Sequence, residues 1–352
     1  MESFHSNLLC WYDRNARQLP WRIDPEQSKS GVLPDPYHIW LSEVMLQQTT
    51  VASVKAYFEK FVSLWPTVND LAAANQEDVM KAWAGLGYYS RARNLKKCAD
   101  EVAKNFGGHF PKTQEELIKL PGVGPYTSAA IASIAFQNKA AVVDGNVERV
   151  VTRYSANSTP MPDAKADCTT FMDAETPEDR PGDFAQAMMD LGATICTPRN
   201  PTCALCPVKD ECKAHAQGTM LSFPVKAPKK VKPNRVGAAF VLQRADGAVW
   251  LCKRPDKGLL ASMSGVPTTD WTARIDGALG SHAGPIEADW AFKGKIKHTF
   301  THFHLELEVW HVMGPAPDNH GWWVDEKNLA FEALPTVMKK VIMAALPNVF
   351  ES

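Results

Sequence analysis

The sequence has no apolar run approaching the ~18 residues of a membrane-spanning helix, which excludes an integral helical membrane protein. It has almost no net charge: 38 Lys and Arg stand against 39 Asp and Glu, a formal −1. A uniformly basic nucleic-acid binder is therefore excluded, and any basic surface has to be local. The N-terminus, MESFHSNLLCWYDRNAR, lacks the charged-then-apolar layout of a signal segment and reads as an amphipathic helix. An intracellular protein is expected, with its cysteines reduced unless they bind metal. Neither an internal repeat nor a low-complexity tract is visible, so a repeat array is not expected. What is present is ordinary for a soluble globular protein: 45% hydrophobic and 22% charged residues. The 352 residues are enough for two domains, each with its own core.

Helical periodicity dominates the first part of the chain. Residues 3–16 place Phe4, Leu8, Leu9, Trp11 and Tyr12 on one face. Leu-Pro-Trp at 19–21 ends that helix, and residues 22–36 hold Pro, Gly and Ser and read as a loop. Tyr37 to Thr50 is strongly helical. Further helices are expected at about 51–64, 68–74, 76–83, 89–105, 114–120, 126–136, 146–156, 163–175 and 183–195. Residues 221–235 carry three prolines among Lys and Arg and read as a basic linker. Strand patterns follow. Residues 236–243 and 248–254 flank an Ala-Asp-Gly hairpin signal, and 297–312 alternates over a long stretch and is expected to be a strand. Residues 334–346 form a closing helix, so the C-terminal part is a smaller α+β domain. His298, His302 and His304 would share one face of the long strand, which suits a metal site or a merely solvated face.

Two stretches carry chemistry. Leu120 to Gly124 reads LPGVG and opens a new helix. Such a turn leaves the backbone N–H groups of Gly122, Val123 and Gly124 free to hold a phosphate. Asp144 follows, between an apolar run and the helix NVERVVTRY, where a negative charge is favoured and the side chain can cap Val147. The pair suggests a turn that grips a nucleic-acid backbone and a carboxylate that works on what the backbone carries. Cys196, Cys203, Cys206 and Cys212 form C-x6-C-x2-C-x5-C, whereas Cys10, Cys98, Cys168 and Cys252 are scattered. Four thiols this close in a reduced chain indicate a metal centre. Zinc usually pairs two short Cys knuckles and only one is present, so a four-cysteine iron–sulfur cluster fits better. It can pin a loop whose Arg199, Lys209 and Lys213 face DNA.

The hairpin, the downstream Asp and the cysteine spacing resemble the helix-hairpin-helix DNA glycosylases that carry a [4Fe-4S] cluster. Within them SEVMLQQTT (42–50), GLGYYSRARNL (85–95) and AMMDLGATICT (187–197) are similar to the MutY-type adenine DNA glycosylases, and the likeness covers the whole chain. The resemblance implies an all-α helix-hairpin-helix catalytic domain over 1–220. That domain would comprise a six-helix module at about 29–139 and an iron–sulfur module from 1–28 and 140–220. The linker 221–235 and a Nudix-like α+β domain over 236–352 would complete a multi-domain chain. The implied activity is base excision repair in the cytoplasm, at the nucleoid. A monomeric, monofunctional enzyme would flip adenine mispaired with 8-oxoguanine or guanine out of double-stranded DNA and hydrolyse its N-glycosidic bond.

Residue roles follow from the same resemblance. Glu43 is the acid that protonates N7 of adenine, its pKa raised by the apolar neighbours Trp40, Val44, Met45 and Leu46. Asp144 is the ionised partner that stabilises an oxocarbenium-like sugar or briefly bonds to it. Tyr126 stands where lyase relatives such as endonuclease III place a nucleophilic Lys. An endonuclease III-like glycosylase/AP lyase is thus the alternative. Tyr126 and Asn146 would position Glu43, the water and Asp144. Leu19, Trp21, Arg22, Leu46 and Gln186 would wall the adenine pocket. Gln48 and Tyr88 would fill the vacated stack, with Thr49 beside them on the DNA. Phe300, Thr301 and His302 match a Phe-Ser-His tip that reads 8-oxoguanine. The chain departs from the family in the long 22–36 loop, in Ala185 where Asn is frequent, and in Thr301 for Ser. No REXXEE-like run occurs between 255 and 300, so the second domain is expected to bind and not to hydrolyse.

Overall fold

The computed structural model describes residues 3–228, 231–317 and 320–350. The chain divides into two compact units, residues 1–74 with 94–229, and residues 75–93 with 230–352. Residues 75–93 thus group with the C-terminal part, which chain order alone does not suggest.

The first unit is helical. Its N-terminal part holds α1 (Phe4–Asn15), α2 (Pro25–Lys29), α3 (Pro36–Leu46), α4 (Val51–Leu64) and α5 (Val68–Ala73). α6 (Gln76–Trp83) and the start of α7 (Ser90–Asn105) lie in the second unit. The first unit resumes with the rest of α7, then α8 (Gln114–Leu117), α9 (Pro125–Phe136), α10 (Gly145–Ser155), α11 (Lys165–Glu175), α12 (Pro181–Thr194) and α13 (Lys213–Ala216). α3 is apolar nearly all round, and Tyr37, Ile39 to Met45 are buried. A helix of that kind belongs in the centre of a fold. Asp35 caps it by accepting from the Tyr37 N–H, with Pro36 in its first turn. α9 is built of small residues and packs on both α3 and α12. Its approach to α12 is backbone to backbone, because a Cβ on Gly182 would lie 2.6 Å from the Ser133 carbonyl.

Two local expectations change. The helix expected to reach Thr50 stops at Leu46. Gln48 sits at φ +58, a left-handed conformation that no helix continues through. The loop at 22–36 contains the short helix α2, closed by a capping box between Asp24 and Gln27.

Beyond α6 and the start of α7, the second unit is, among the described residues, a sheet covered by a helix. β1 (Asn234–Gln243), β2 (Val249–Lys253), β3 (Ser264–Gly265), β4 (Ala291–Thr299), β5 (His304–Met313) and β6 (Gly321–Val324) precede α14 (Thr336–Ala345). The order is β3-β2-β1-β5-β4, with β6 on β2. β1 and β5 run parallel and the other pairs are antiparallel. α14 lays Val337, Met338, Val341 and Ile342 against Val241, Leu251, Leu307 and Val309. The expected single strand over 297–312 is two strands. Thr299 on β4 pairs with His304 on β5, and the chain reverses at 300–303. Phe300 N–H donates to the Phe303 carbonyl at 2.9 Å, and the two rings stack at 4.7 Å. Alternation continues on both sides of the turn, so periodicity could not mark it. His298, His302 and His304 consequently fall on β4, the turn and β5, and share no strand face.

Candidate active site

A cavity of about 870 Å³ opens in the first unit. Glu43 projects into it from the buried middle of α3 and is only 5% exposed. Tyr126, in the first turn of α9, donates its hydroxyl to Glu43 Oε2 at 2.7 Å. Burial is the largest influence on Glu43; the Tyr126 hydrogen bond and the Arg22 cation oppose it, and the Asp144 carboxylate adds to it. The result is a pKa pushed up to about 7. The Tyr126 hydroxyl is itself pushed well above its ordinary range, by burial first and then by Glu43 and Asp144, so it stays a donor.

Asp144 is the N-cap of α10. Its Oδ1 accepts from the Asn146 and Val147 N–H groups, each at 2.8 Å, and its Oδ2 accepts from Asn146 Nδ2 at 2.9 Å. Three donors hold the carboxylate in one pose. Asn146 is held in turn by Arg149 Nη2 at 2.9 Å, while Arg149 Nε donates to the Cys196 carbonyl at 2.7 Å. α10 thereby links Asp144 to the start of the cysteine loop.

Leu19, Trp21, Arg22, Leu46, Gln48, Thr49, Gly122, Gly124, Asn146 and Gln186 also line the cavity. Val123 is buried, and its N–H is not free as expected: it donates to the Leu120 carbonyl at 3.1 Å, closing the turn. Gly122 needs φ +76, and a Cβ there would lie 2.6 Å from the Asn94 Cβ, so glycine is required. Arg22 commits its fork to a buried acid: Nη1 and Nη2 donate to the two oxygens of Asp190 at 2.7 and 3.0 Å. Asp190 is fully buried and also accepts from the Arg17 N–H and Nε, at 3.0 and 2.6 Å. Sequence reasoning missed Asp190 and Arg17. The available signal was a carboxylate inside the apolar run of α12, four residues past Gln186, where burial demands a cation. Lys165 at the cavity wall was missed as well. Ala185 is buried within α12.

Tyr88, Phe300, Thr301 and His302 belong to the second unit, where they line a cavity of about 680 Å³ with Arg93 and Lys232. Tyr88 is 48% exposed at φ +49. Lys232 Nζ donates to the Phe300 carbonyl at 3.0 Å, Phe300 packs onto its own core, and Thr301 and His302 stand exposed.

Cys196, Cys203, Cys206 and Cys212 are half-buried and unpaired. Burial and the neighbouring thiols raise the Cys203, Cys206 and Cys212 thiols, Cys206 to about 12. Thiols crowded in this way gain most from a shared cationic centre. Arg153, fully buried, braces them with donors to Cys196 Sγ at 3.3 Å and to the Thr197 and Pro198 carbonyls at 2.8 and 3.1 Å. Among the described residues no three His, Cys, Asp or Glu side chains converge on a single-ion site.

A glycine hairpin feeding a cavity with one buried and one capped carboxylate defines a base excision DNA glycosylase of the helix-hairpin-helix class. Residues 41–167 match the HhH-GPD superfamily base excision DNA repair protein family, and 238–344 match the NUDIX domain. The human adenine DNA glycosylase is 36% identical over 96% of this chain and 73% of its own length. That of Buchnera aphidicola from Acyrthosiphon pisum is 31% identical over 99% of both. A thermostable thymine-DNA glycosylase structure superposes with TM-score 0.54 at 32% identity, covering 61% of this chain and 95% of its own. An endonuclease III–DNA complex, at TM-score 0.51 and 23% identity over 61% of this chain and 94% of its own, shows the shared helical fold. The chain belongs to the adenine DNA glycosylase family, and the protein is a DNA N-glycosylase.

Proposed function

We propose that this protein excises adenine standing opposite 8-oxoguanine or guanine in double-stranded DNA, acting as a monomeric hydrolase. The observation that carries the reading is Glu43, a carboxyl with a pKa near 7 that is bonded to Tyr126 in the same cavity as the capped Asp144. The hairpin N–H groups of Gly122 and Gly124 hold the backbone, and the flipped adenine enters between Trp21, Leu46 and Gln186. Glu43 gives its proton to N7. The C1′–N9 bond then breaks with its electron pair leaving on adenine, and Asp144 stabilises the sugar cation. Water adds at C1′ and its proton passes to the Glu43 carboxylate, which restores the acid. Gln48, Thr49 and Tyr88 support the opened duplex.

Cys196, Cys203, Cys206 and Cys212 would hold a [4Fe-4S] cluster, which supplies a four-point tether for the 196–212 loop and a redox centre. The exposed Thr301 and His302 at the β4–β5 turn, beside Phe300, are the proposed reader of 8-oxoguanine. Thr301 keeps the hydroxyl that a Ser would offer.

The test is excision from a duplex containing the A:8-oxoguanine pair. Wild type should release free adenine and leave an alkali-labile site, and Glu43→Gln should release none; full activity in that variant would overturn the assignment. The lyase reading has one observation behind it, Lys165 at the cavity wall. Lys165 is 55% exposed and 3.9 Å from Glu148, without the desolvated surroundings that activate an amine. Efficient borohydride trapping on abasic DNA would favour that reading.

A further inference from the structure

The tip of the β4–β5 turn is only half closed by its own backbone. Thr299 and His304 are the last paired residues of the two strands. The Phe300 N–H donates to the Phe303 carbonyl at 2.9 Å, but among the described residues no backbone N–H donates to the Phe300 carbonyl. A tight turn is usually closed by that second bond, from the N–H of its fourth residue to the carbonyl of its first. Beneath the tip the Phe300 and Phe303 rings stack, and Phe300 packs onto the core. Those contacts anchor the side chain of Phe300 and leave its carbonyl to another partner.

That partner comes from outside the turn. Lys232 Nζ donates to the Phe300 carbonyl at 3.0 Å. The end of the linker carries Lys232 there, because the Pro233 carbonyl accepts from the His304 N–H at 2.9 Å and Asn234 begins β1 beside His304. Lys232 is half-buried and lines the same cavity as Thr301 and His302. The Phe300 carbonyl and the Thr301 N–H belong to one planar peptide, so a donor on the carbonyl fixes the plane from which Thr301 departs. An ammonium has three donors and no acceptor, and it holds that oxygen without competing for the N–H groups of the turn. 8-Oxoguanine differs from guanine along one edge, by an oxygen at C8 and a proton on N7. A hydroxyl can bond to either, provided its position is fixed to about half an ångström.

On the reading of Thr301 and His302 as the 8-oxoguanine reader, we propose that Lys232 is a positioning residue that sets this turn and so tunes discrimination between 8-oxoguanine and guanine. Single-turnover excision by the full-length protein, from duplexes with A:8-oxoguanine and A:G pairs, tests it. Lys232→Met should narrow the ratio of the two rates about threefold to tenfold, the worth of roughly one hydrogen bond. Lys232→Arg, which keeps a charged donor, should restore most of the ratio. Hydrogen exchange supplies a second readout: in Lys232→Met the Phe300 amide should lose protection while the amides of β5 keep theirs. A narrowed ratio without that loss would overturn the positioning role and assign Lys232 to direct contact with the base. Thr301→Ala, measured in parallel, separates this role from the reader itself. A full ratio in Lys232→Met beside a narrowed one in Thr301→Ala overturns the role of Lys232 and leaves the reader standing. A full ratio in both overturns the reader, and the role of Lys232 with it.

Discussion

At the scale of single residues, burial sets the titration of the proposed acid. Glu43 holds its proton up to about pH 7, against an ordinary 4.5. Its folded-state pKa is raised, so the stabilisation it brings is complete below about pH 4.5 and lost as pH rises through 7. Glu43→Gln removes that dependence. Urea denaturation should find the variant more stable than wild type at pH 8, by about 3 kcal/mol at most, and no more stable at pH 4. In the wild type, single-turnover excision should decline on the alkaline side of about pH 7. Asp190 acts one step away. Asp190→Asn leaves Arg22 buried without a counter-charge, which should destabilise the first unit by about 3 kcal/mol. The freed cation favours ionised Glu43, so the alkaline limb of the rate profile should also move to lower pH. Asp190→Glu should restore much of both.

At the scale of elements, α10 joins its cap and the proposed sugar-stabilising carboxylate in one side chain, Asp144. Asn caps helices as well as Asp does, so Asp144→Asn should change thermal stability by no more than about 1 kcal/mol while abolishing excision. The hairpin allows no such separation. Gly122→Ala meets both the positive φ and the Asn94 side chain, and should lose about 1–3 kcal/mol in denaturant titration together with duplex affinity. Most helices were legible because period and punctuation agree: Pro36 after Asp35, Gly124 before Pro125, Asp144 before α10. Where punctuation was missing, the reading ran on. Gln48 turns left-handed with no glycine to announce it, and the Phe300–Phe303 reversal sits inside unbroken alternation. The Tyr126–Glu43 bond joins residues 83 apart, a separation that no local pattern spans. Arg22 was legible as a pocket residue, but its anchoring to Asp190 was not, because it depends on how α1, α12 and the intervening loop pack.

For the whole molecule, the grouping of residues 75–93 with 230–352 matters more than the apparent order of domains. Arg93 donates to the Ala261 carbonyl within that unit. Truncation after residue 228 should therefore raise hydrogen exchange at 75–93 and leave α3 and α9 protected. Alanine at Thr301 or His302 should leave adenine release from an A:G pair nearly unchanged and narrow the preference for 8-oxoguanine, measured as the ratio of single-turnover rates. Equal preference in variants and wild type would remove the reader role. Gln48 and Tyr88 carry a last consequence. Each holds a non-glycine backbone in the left-handed region, a posture that costs about 1–3 kcal/mol. Glycine at either place would make the resting protein sturdier and, on the proposed function, leave it nothing to press into an opened duplex. A directed-evolution screen for heat tolerance alone would thus drift toward glycine at 48 and 88, and its hardiest survivors would be poor repair enzymes.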